Sequence, residues 1–452
     1  MKNVGNADNI IDVMKRAAQG EQITIGFIGG SITQGAVVSD EALCYAARVF
    51  KWWKDSFPAA KVRYINAGIG ATTSQFGAAR VSDDLLKYEP DFVIVEYSVN
   101  DNDDELDDPS HDPDNNRSSD RRELFRETYE GLIRRILSHK NRSHKVPAIL
   151  IVHSVKYDNG NSFEDVHAEI GRHYGIPCIS MKENIYDKLT GTGDRSMLLP
   201  DGKKISINSI TEDMLHPNDL GHAIVAGYIT DYLNELKTKA DNPEYEDAGR
   251  FREDYDESEK AKGIHLPAAL TLNMYEDVMR YNRLNASPVL NGFTEDDSSM
   301  MKPFDINTDY DREGDGTTVN DDPVLSSEVR DVFKNGWRAS KEGYSVIFEF
   351  TGSELALMYR RTVNKPAPVA YAVIDGDEEN GIRLDGNFDE DWGDKACMVT
   401  LMHHGRICEN GNSESANRDE KRHKLTVTIG EAENCVSDFY LINLVGKLCG
   451  LS

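Results

Sequence analysis

The sequence contains no apolar run of 18 residues, so nothing in it is built to cross a bilayer as a helix. Cysteine is scarce: six among 452 residues, at positions 44, 178, 397, 408, 435 and 449. They have neither the density of a disulfide-stapled domain nor the paired spacing of a zinc ligand set, so a reducing compartment is expected. Positive charge is also in short supply. Lysine and arginine total 51 against 78 aspartates and glutamates, a net charge of -27, with a pI near 4.8. That field repels nucleic-acid phosphates and anionic lipid surfaces, which leaves small, neutral or weakly charged substrates as the compatible class. The first twenty residues carry Lys2, Asp8, Asp12, Lys15 and Arg16 without an apolar core, unlike a secretory signal. The expectation is a soluble, cytoplasmic protein with no nucleic-acid or membrane partner; whether it forms a homo-oligomer is left open.

A chain of this length exceeds what one hydrophobic core serves, so two domains are expected. Residues 1–240 alternate amphipathic helices with short apolar strands. The strands read as Ile23 to Ile28, Val62 to Ile65, Phe92 to Tyr97, Ala148 to Val152 and Ile176 to Ile179, with a last helix from about Leu220 to Leu236. This pattern predicts an α/β, flavodoxin-like three-layer αβα domain. In strand order 2-1-3-4-5, strands one and three flank the point where the order reverses, where such sheets bind ligands. Residues 241–262 are charged and read as a connector. Residues 263–452 hold β-rich runs at Tyr344 to Phe350, Glu354 to Tyr359, Ala370 to Ile374, Met398 to Leu401, Lys424 to Ile429 and Phe439 to Leu444. They predict an antiparallel β-sandwich, jelly-roll-like.

Three separated segments carry the chemistry: Gly29-Gly-Ser-Ile-Thr33, Ser98-Val-Asn-Asp101 and Asp213-Met-Leu-His216. Together they hold a hydroxyl nucleophile, an imidazole base, a carboxylate to orient it and a side-chain amide for an oxyanion. Each has a structural reading of its own. Gly-Gly-Ser makes an ordinary βα turn, Asp213 and His216 suit the start of a helix, and Asn100 suits an Asx-turn.

With Asn66-Ala-Gly-Ile-Gly-Ala-Thr-Thr-Ser74 between them, these segments resemble the four sequence blocks of the SGNH or GDSL-like hydrolases, over roughly residues 20 to 240. The resemblance implies Ser31 as nucleophile, His216 as general base and Asp213 as its orienting carboxylate. It also implies an oxyanion hole from the backbone amides of Ser31 and Ala71 and the side chain of Asn100. Two positions depart from the pattern: Ala71 stands where a glycine donates, with Gly70 as the alternative donor should position 71 need a positive φ, and Ser98 replaces the glycine that leads the third block.

The resemblance further implies a serine carboxylic-ester hydrolase. Many relatives deacetylate sugars, and several carry a carbohydrate-binding β-sandwich. The expected activity is hydrolysis of O-acetyl esters on oligosaccharides through an acyl-enzyme, with no cofactor and no metal. Rival readings are a lysophospholipase or general short-chain esterase, and a non-catalytic carbohydrate-binding protein. Trp337 and Trp392 are candidate sugar-stacking residues if they lie in loops. His222 is expected to pack near a helix start, and His153, His167 and His173 are read as ordinary. The acidic stretch from Asp101 to Asp120 is either a substrate rim or an insertion. Asp309 to Asp315 starts like a calcium loop, but Asn320 stands at the twelfth place, which favours a solvated loop.

Overall fold

The Val- and Ile-rich strands of the first domain are buried on both faces, as a parallel sheet between two helix layers requires. The computed structural model describes residues 5–102, 118–191, 195–199, 201–242, 266–297, 333–390, 393–404, 406–407 and 421–451. The first domain runs α1 (Asp8–Ala18), β1 (Gln22–Gly29), α2 (Ser31–Gln34), α3 (Tyr45–Ser56), β2 (Lys61–Gly68), α4 (Ser74–Asp84), β3 (Phe92–Glu96) and α5 (Ser118–Ser138). It continues with β4 (Ala148–His153), α6 (Glu164–His173), β5 (Cys178–Ser180), α7 (Asp187–Thr190), a hairpin of β6 (Met197–Leu198) and β7 (Lys204–Ile205), and α8 (Asp219–Ala240). Strands β1 to β5 pair in the expected order β2-β1-β3-β4-β5, all parallel. Helices α1, α3 and α8 cover one face through Ile10, Met14, Phe50, Trp53 and Leu233. Helices α4, α5 and α6 cover the other through Phe76, Val81, Tyr129, Ile133 and Ile170. Gly29 lies opposite both Gly68 and Glu96, so the three strands that reach the reversal point end at one level. No described helix is long and apolar enough to cross a membrane.

The second domain comprises β8 (Met279–Tyr281), β9 (Val289–Asn291), β10 (Thr294–Glu295), β11 (Trp337–Ala339), β12 (Ser345–Arg361), β13 (Val369–Ile374), β14 (Ile382–Asp385), β15 (Lys395–His403), β16 (Arg406–Ile407), β17 (Arg422–Glu431) and β18 (Phe439–Cys449). They form one connected antiparallel sheet. The runs read as two strands, Tyr344 to Phe350 and Glu354 to Tyr359, are a single strand, β12. The polar interruption between them is absorbed as a bulge, a register shift between Gly352 and Glu354, where the sequence suggested a turn. The first half of β12 alternates buried and half-buried positions, whereas the second half is buried almost throughout. Alternation marks a strand covered on one side, and continuous burial one covered on both. Leu355, Leu357 and Tyr359 join the β domain's own core with Phe348, Val427 and Leu441. Ala356 and Met358 face the other way and pack, with Ala396, Met398, Tyr440 and Ile442, into the cluster around α4 and α5.

Trp337 is corrected by the structure: it lies in β11, with no exposed surface, edge-on to Phe348 at 5.1 Å between ring centroids. It fills the β core and cannot stack on a sugar. Trp392, residues 309–315 and 103–117, and most of the connector lie outside the described residues.

Between the two domains, residues 266–278 run along α5 as a strap. Glu130 accepts the backbone N–H groups of Leu270 at 2.7 Å and Thr271 at 2.8 Å, and the hydroxyls of Thr271 and Tyr174 at 2.6 Å each. Glu127 accepts Met274 N–H at 2.9 Å, and Arg134 donates to Pro267 O at 2.9 Å. The contact is closest at Gly131, where a Cβ would stand 2.6 Å from the carbonyl carbon of Tyr275. An alanine in a helix interior ordinarily adds about 1 kcal/mol over glycine. Here Gly131→Ala should instead cost about 1–3 kcal/mol, because the strap must move. Denaturant unfolding measures this, and a stabilised variant would mean that the strap does not press on α5.

Candidate active site

Ser31 begins α2 one residue past Gly30, at the carboxyl end of the central strand β1. The short helix is pinned from three directions. Thr33 Oγ1 donates to Glu96 Oε2 at 3.3 Å and lies 2.8 Å from the Tyr45 hydroxyl. Asn66 Nδ2 donates to Thr33 O at 2.8 Å, and Gln34 Oε1 accepts Gly70 N–H at 2.7 Å. Glu96 is 2 % exposed, and burial pushes its carboxyl up to about 7.

Asn100 leaves β3 beside Ser31. Its amide donates to Thr72 O at 2.6 Å, and a Cβ on Gly30 would stand 2.5 Å from its Nδ2. A residue larger than glycine at position 30 would therefore displace this amide. Asp101, next in the chain, is fully buried. Its Oδ1 accepts Ser74 N–H at 2.8 Å, and its Oδ2 lies 2.9 Å from His167 Nε2. Burial pushes Asp101 up to about 7 and His167 down to about 3, favouring the neutral form of each. His167 also stacks on Tyr129 with centroids 3.5 Å apart. The pair ties the Asn100 turn to α4, α5 and α6, a role that a run of acids and an isolated histidine did not reveal in sequence.

Asp213 and His216 come from the loop before α8, closed by a bridge between Thr211 and Pro217. Met214 adopts φ +62°, which folds the three-residue spacing tightly enough for Asp213 Oδ1 to accept both Leu215 N–H at 2.9 Å and His216 N–H at 2.7 Å. Oδ2 lies 2.6 Å from His216 Nδ1, and His216 Nε2 lies 2.9 Å from Ser31 Oγ. Partial burial raises the Asp213 pKa, but the His216 ring and the two amides outweigh it and hold the carboxyl well below the usual carboxylate range. A carboxylate only accepts, so the proton of this contact sits on Nδ1 and the Nε2 lone pair faces the serine hydroxyl. The helix cap is Asn218, which accepts Leu220 and Gly221 N–H. His222 packs instead: Tyr45 N–H donates to its Nδ1 at 3.2 Å. His173 is half-buried and meets Ala268 O at 2.7 Å.

Ser31, His216 and Asn100 are 7 %, 8 % and 8 % exposed, so a carbonyl at Ser31 would meet groups largely shielded from water. Ala71 adopts φ +53°, the condition under which Gly70 was the alternative donor. Gly70 is nevertheless occupied, since its N–H is given to Gln34, while the Ser31 and Ala71 amides have no partner among the described residues. Trp337 is far from meeting the sugar-binding expectation, being enclosed in the β core. One group of described residues, Glu127 with His403 and His404, has ligand atoms near enough together to hold a metal; the hydroxyl, imidazole and carboxylate at Ser31 form a separate constellation.

Residues 27–224 match the GDSL-like lipase/acylhydrolase family. The whole chain is similar to a solved two-domain esterase (CEX) active on acetylated mannans, co-crystallised with mannopentaose: 38% identity over 98% of this chain and 95% of that one, TM-score 0.73. A second structure described as the same kind of esterase gives 38% identity, 98% and 96% coverage and a TM-score of 0.72. Axe2, an acetylxylan esterase from Geobacillus stearothermophilus, is 18% identical over 47% of this chain and 95% of its own, TM-score 0.36. No curated protein matches.

Two outcomes follow from the geometry. Ala71 holds a left-handed backbone at a cost of about 1 kcal/mol that glycine avoids. Ala71→Gly should therefore stabilise the fold by about that amount while keeping ester turnover within roughly threefold, since the backbone N–H is retained. A large loss of turnover would mean the alanine methyl itself is needed. For Glu96, a carboxyl with a higher pKa in the folded than in the unfolded chain takes up a proton on folding. Its contribution is present below the unfolded value near about 4.3 and is lost as pH rises towards about 7. Glu96→Gln should thus flatten the fall in thermal midpoint between pH 5 and pH 8; equal slopes in both proteins would contradict a buried, proton-binding Glu96.

Proposed function

The chain belongs to the GDSL-like lipase/acylhydrolase family, and from that premise we propose that it is a serine esterase removing acetyl groups from oligosaccharides, with mannan fragments as the substrate class. The observation that carries the mechanism is the hydrogen-bonded series Ser31 Oγ, His216 and Asp213, at 2.9 and 2.6 Å. The substrate class rests on the 38% identity to an esterase active on acetylated mannans, along nearly the full length of both chains.

Ser31 Oγ attacks the acetyl carbonyl as its proton passes to His216 Nε2. Asp213 keeps the ring in the tautomer that accepts that proton and favours the imidazolium formed. The carbonyl oxygen becomes an oxyanion within reach of the Ser31 and Ala71 amides and Asn100 Nδ2. Collapse breaks the ester C–O bond, and the sugar oxygen leaves with the proton from His216. Water then gives a proton to His216 and attacks the acetyl-serine; the bond to Ser31 Oγ breaks as His216 returns that proton to it, and acetic acid leaves and ionises to acetate.

Acetate release from acetylated manno- and xylo-oligosaccharides tests both parts of the reading. The natural protein should release acetate, Ser31→Ala should lose at least about 10³-fold in turnover, and Asp213→Asn on the order of 10³–10⁴-fold. Ser31-dependent cleavage of lysophospholipid or longer acyl esters, without sugar deacetylation, would keep the mechanism and overturn the substrate. Unchanged release by Ser31→Ala would overturn the mechanism.

A further inference from the structure

Strand β15 ends on His403, and His404 follows it in the turn, with the two rings on the same side. Neighbouring strand residues ordinarily point to opposite faces. His404, however, adopts φ +52°, and the His403 and His404 rings stand 3.8 Å apart. Both turn towards Glu127 of α5, so the cluster joins the β domain to the hydrolase domain. His404 Nε2 lies 2.6 Å and His403 Nε2 3.6 Å from Glu127 Oε2. The other Glu127 oxygen accepts Met274 N–H.

Glu354 of β12 sets the orientation. It accepts from His403 Nδ1 at 2.7 Å and from the His404 backbone N–H at 2.7 Å. Because a carboxylate accepts only, the neutral His403 ring keeps its proton on Nδ1 and directs the Nε2 lone pair at Glu127. That Nε2 is buried without a hydrogen-bond partner. Both carboxylates are 1 % exposed, and no lysine or arginine among the described residues pairs with either. Two buried negative charges thus face two imidazoles, and a lone pair meets a carboxylate oxygen across 3.6 Å.

We propose that Glu127, His403 and His404 bind a zinc ion that clamps the β domain to α5, with Glu354 as the positioning residue for His403. One carboxylate and two imidazoles suit zinc. Ligand atoms around a tetrahedral zinc lie about 3.3 Å apart, as bonds of roughly 2.0–2.1 Å require. The present separations of 2.6 and 3.6 Å fall on either side of that value, so small side-chain rotations close the site. A divalent ion cancels the charge of the two carboxylates, and the Glu354–His403 contact is the outer-sphere carboxylate that metal-bound histidines characteristically have. Three protein ligands leave one position for water.

The test uses the full chain, stripped with a chelator and titrated calorimetrically with zinc chloride. One zinc per chain should bind in the micromolar range or tighter, with a rise of a few degrees in the unfolding midpoint at saturating metal. Glu354→Gln should weaken binding at least about tenfold and His403→Ala further. No binding by the natural protein, or equal affinity in His403→Ala, overturns the proposal. Should His403→Ala not fold, cobalt(II) added to the stripped natural protein decides: intense tetrahedral d–d absorption supports the site, and a weak octahedral spectrum refutes it.

Discussion

From Ser74 to Val81 helix α4 has no solvent face, and the rest of the architecture answers to that. An outer helix of an αβα domain ordinarily shows water a polar stripe. In α4, Ser74, Gln75, Phe76, Gly77, Ala78, Ala79, Arg80 and Val81 are all buried. Its inner side meets the parallel sheet, and its outer side is covered through α5, the strap and the two-sided portions of β12, β15 and β18. Gln75 makes the attachment directional, donating to the Tyr275 hydroxyl at 2.9 Å and to Thr400 Oγ1 at 3.0 Å. Removing the strap and the β domain together would expose this apolar surface and leave the buried carboxylates of Glu127 and Glu130 without the donors they accept. The two domains therefore share one hydrophobic cluster, while the β domain keeps a second of its own.

The same helix holds part of the candidate site. Its first amide, Ser74 N–H, binds Asp101, and Ser74 Oγ lies 2.6 Å from Thr128 Oγ1 of α5. Asp101 meets His167 of α6 and directly follows Asn100. A contiguous set of hydrogen bonds thus runs from the helices under the β domain to the amide beside Ser31. The imidazole side is anchored independently: Tyr157 N–H donates to Met214 O at 2.7 Å, and Ser39 donates through its backbone N–H and its hydroxyl to Asp219. Ser31, the Asn100 amide and His216 each stand on a different support.

Much of this was readable in the chain because the signals are local. Five apolar strands separated by amphipathic helices predict a parallel sheet, and Asp213 and His216 sit within one turn whose geometry depends on four consecutive residues. What escaped notice depends on distant partners. Asp101 reads as the first of a series of acids, yet it is buried by pairing with His167, 66 residues on. Glu127 and His404 are 277 residues apart. Trp337 occupies a three-residue strand, too short for any alternation to show, so an aromatic beside turn residues looked like a loop. The doubling of β12 did leave a trace: the unbroken apolar run from Leu355 to Tyr359 has the signature of a strand buried on both faces, and the polar break before it disguised the continuity.

Two of the positions where backbone preference is violated lie in the candidate site. Ala71 and Met214, neither a glycine, hold left-handed φ angles in the second and fourth sequence blocks. Met214 has a geometric reason: an extended residue there would carry His216 away from Asp213, whereas the left-handed turn lets one carboxylate accept two backbone N–H groups and the ring proton together. Such conformations each cost about 1–3 kcal/mol and persist only where the surroundings over-determine them. Here the Tyr157 contact, the Thr211–Pro217 bridge and the Asn218 cap fix the loop on both sides of Met214. Strain that an isolated loop would relax is held by the fold, and His216 stays in contact with both Asp213 and Ser31.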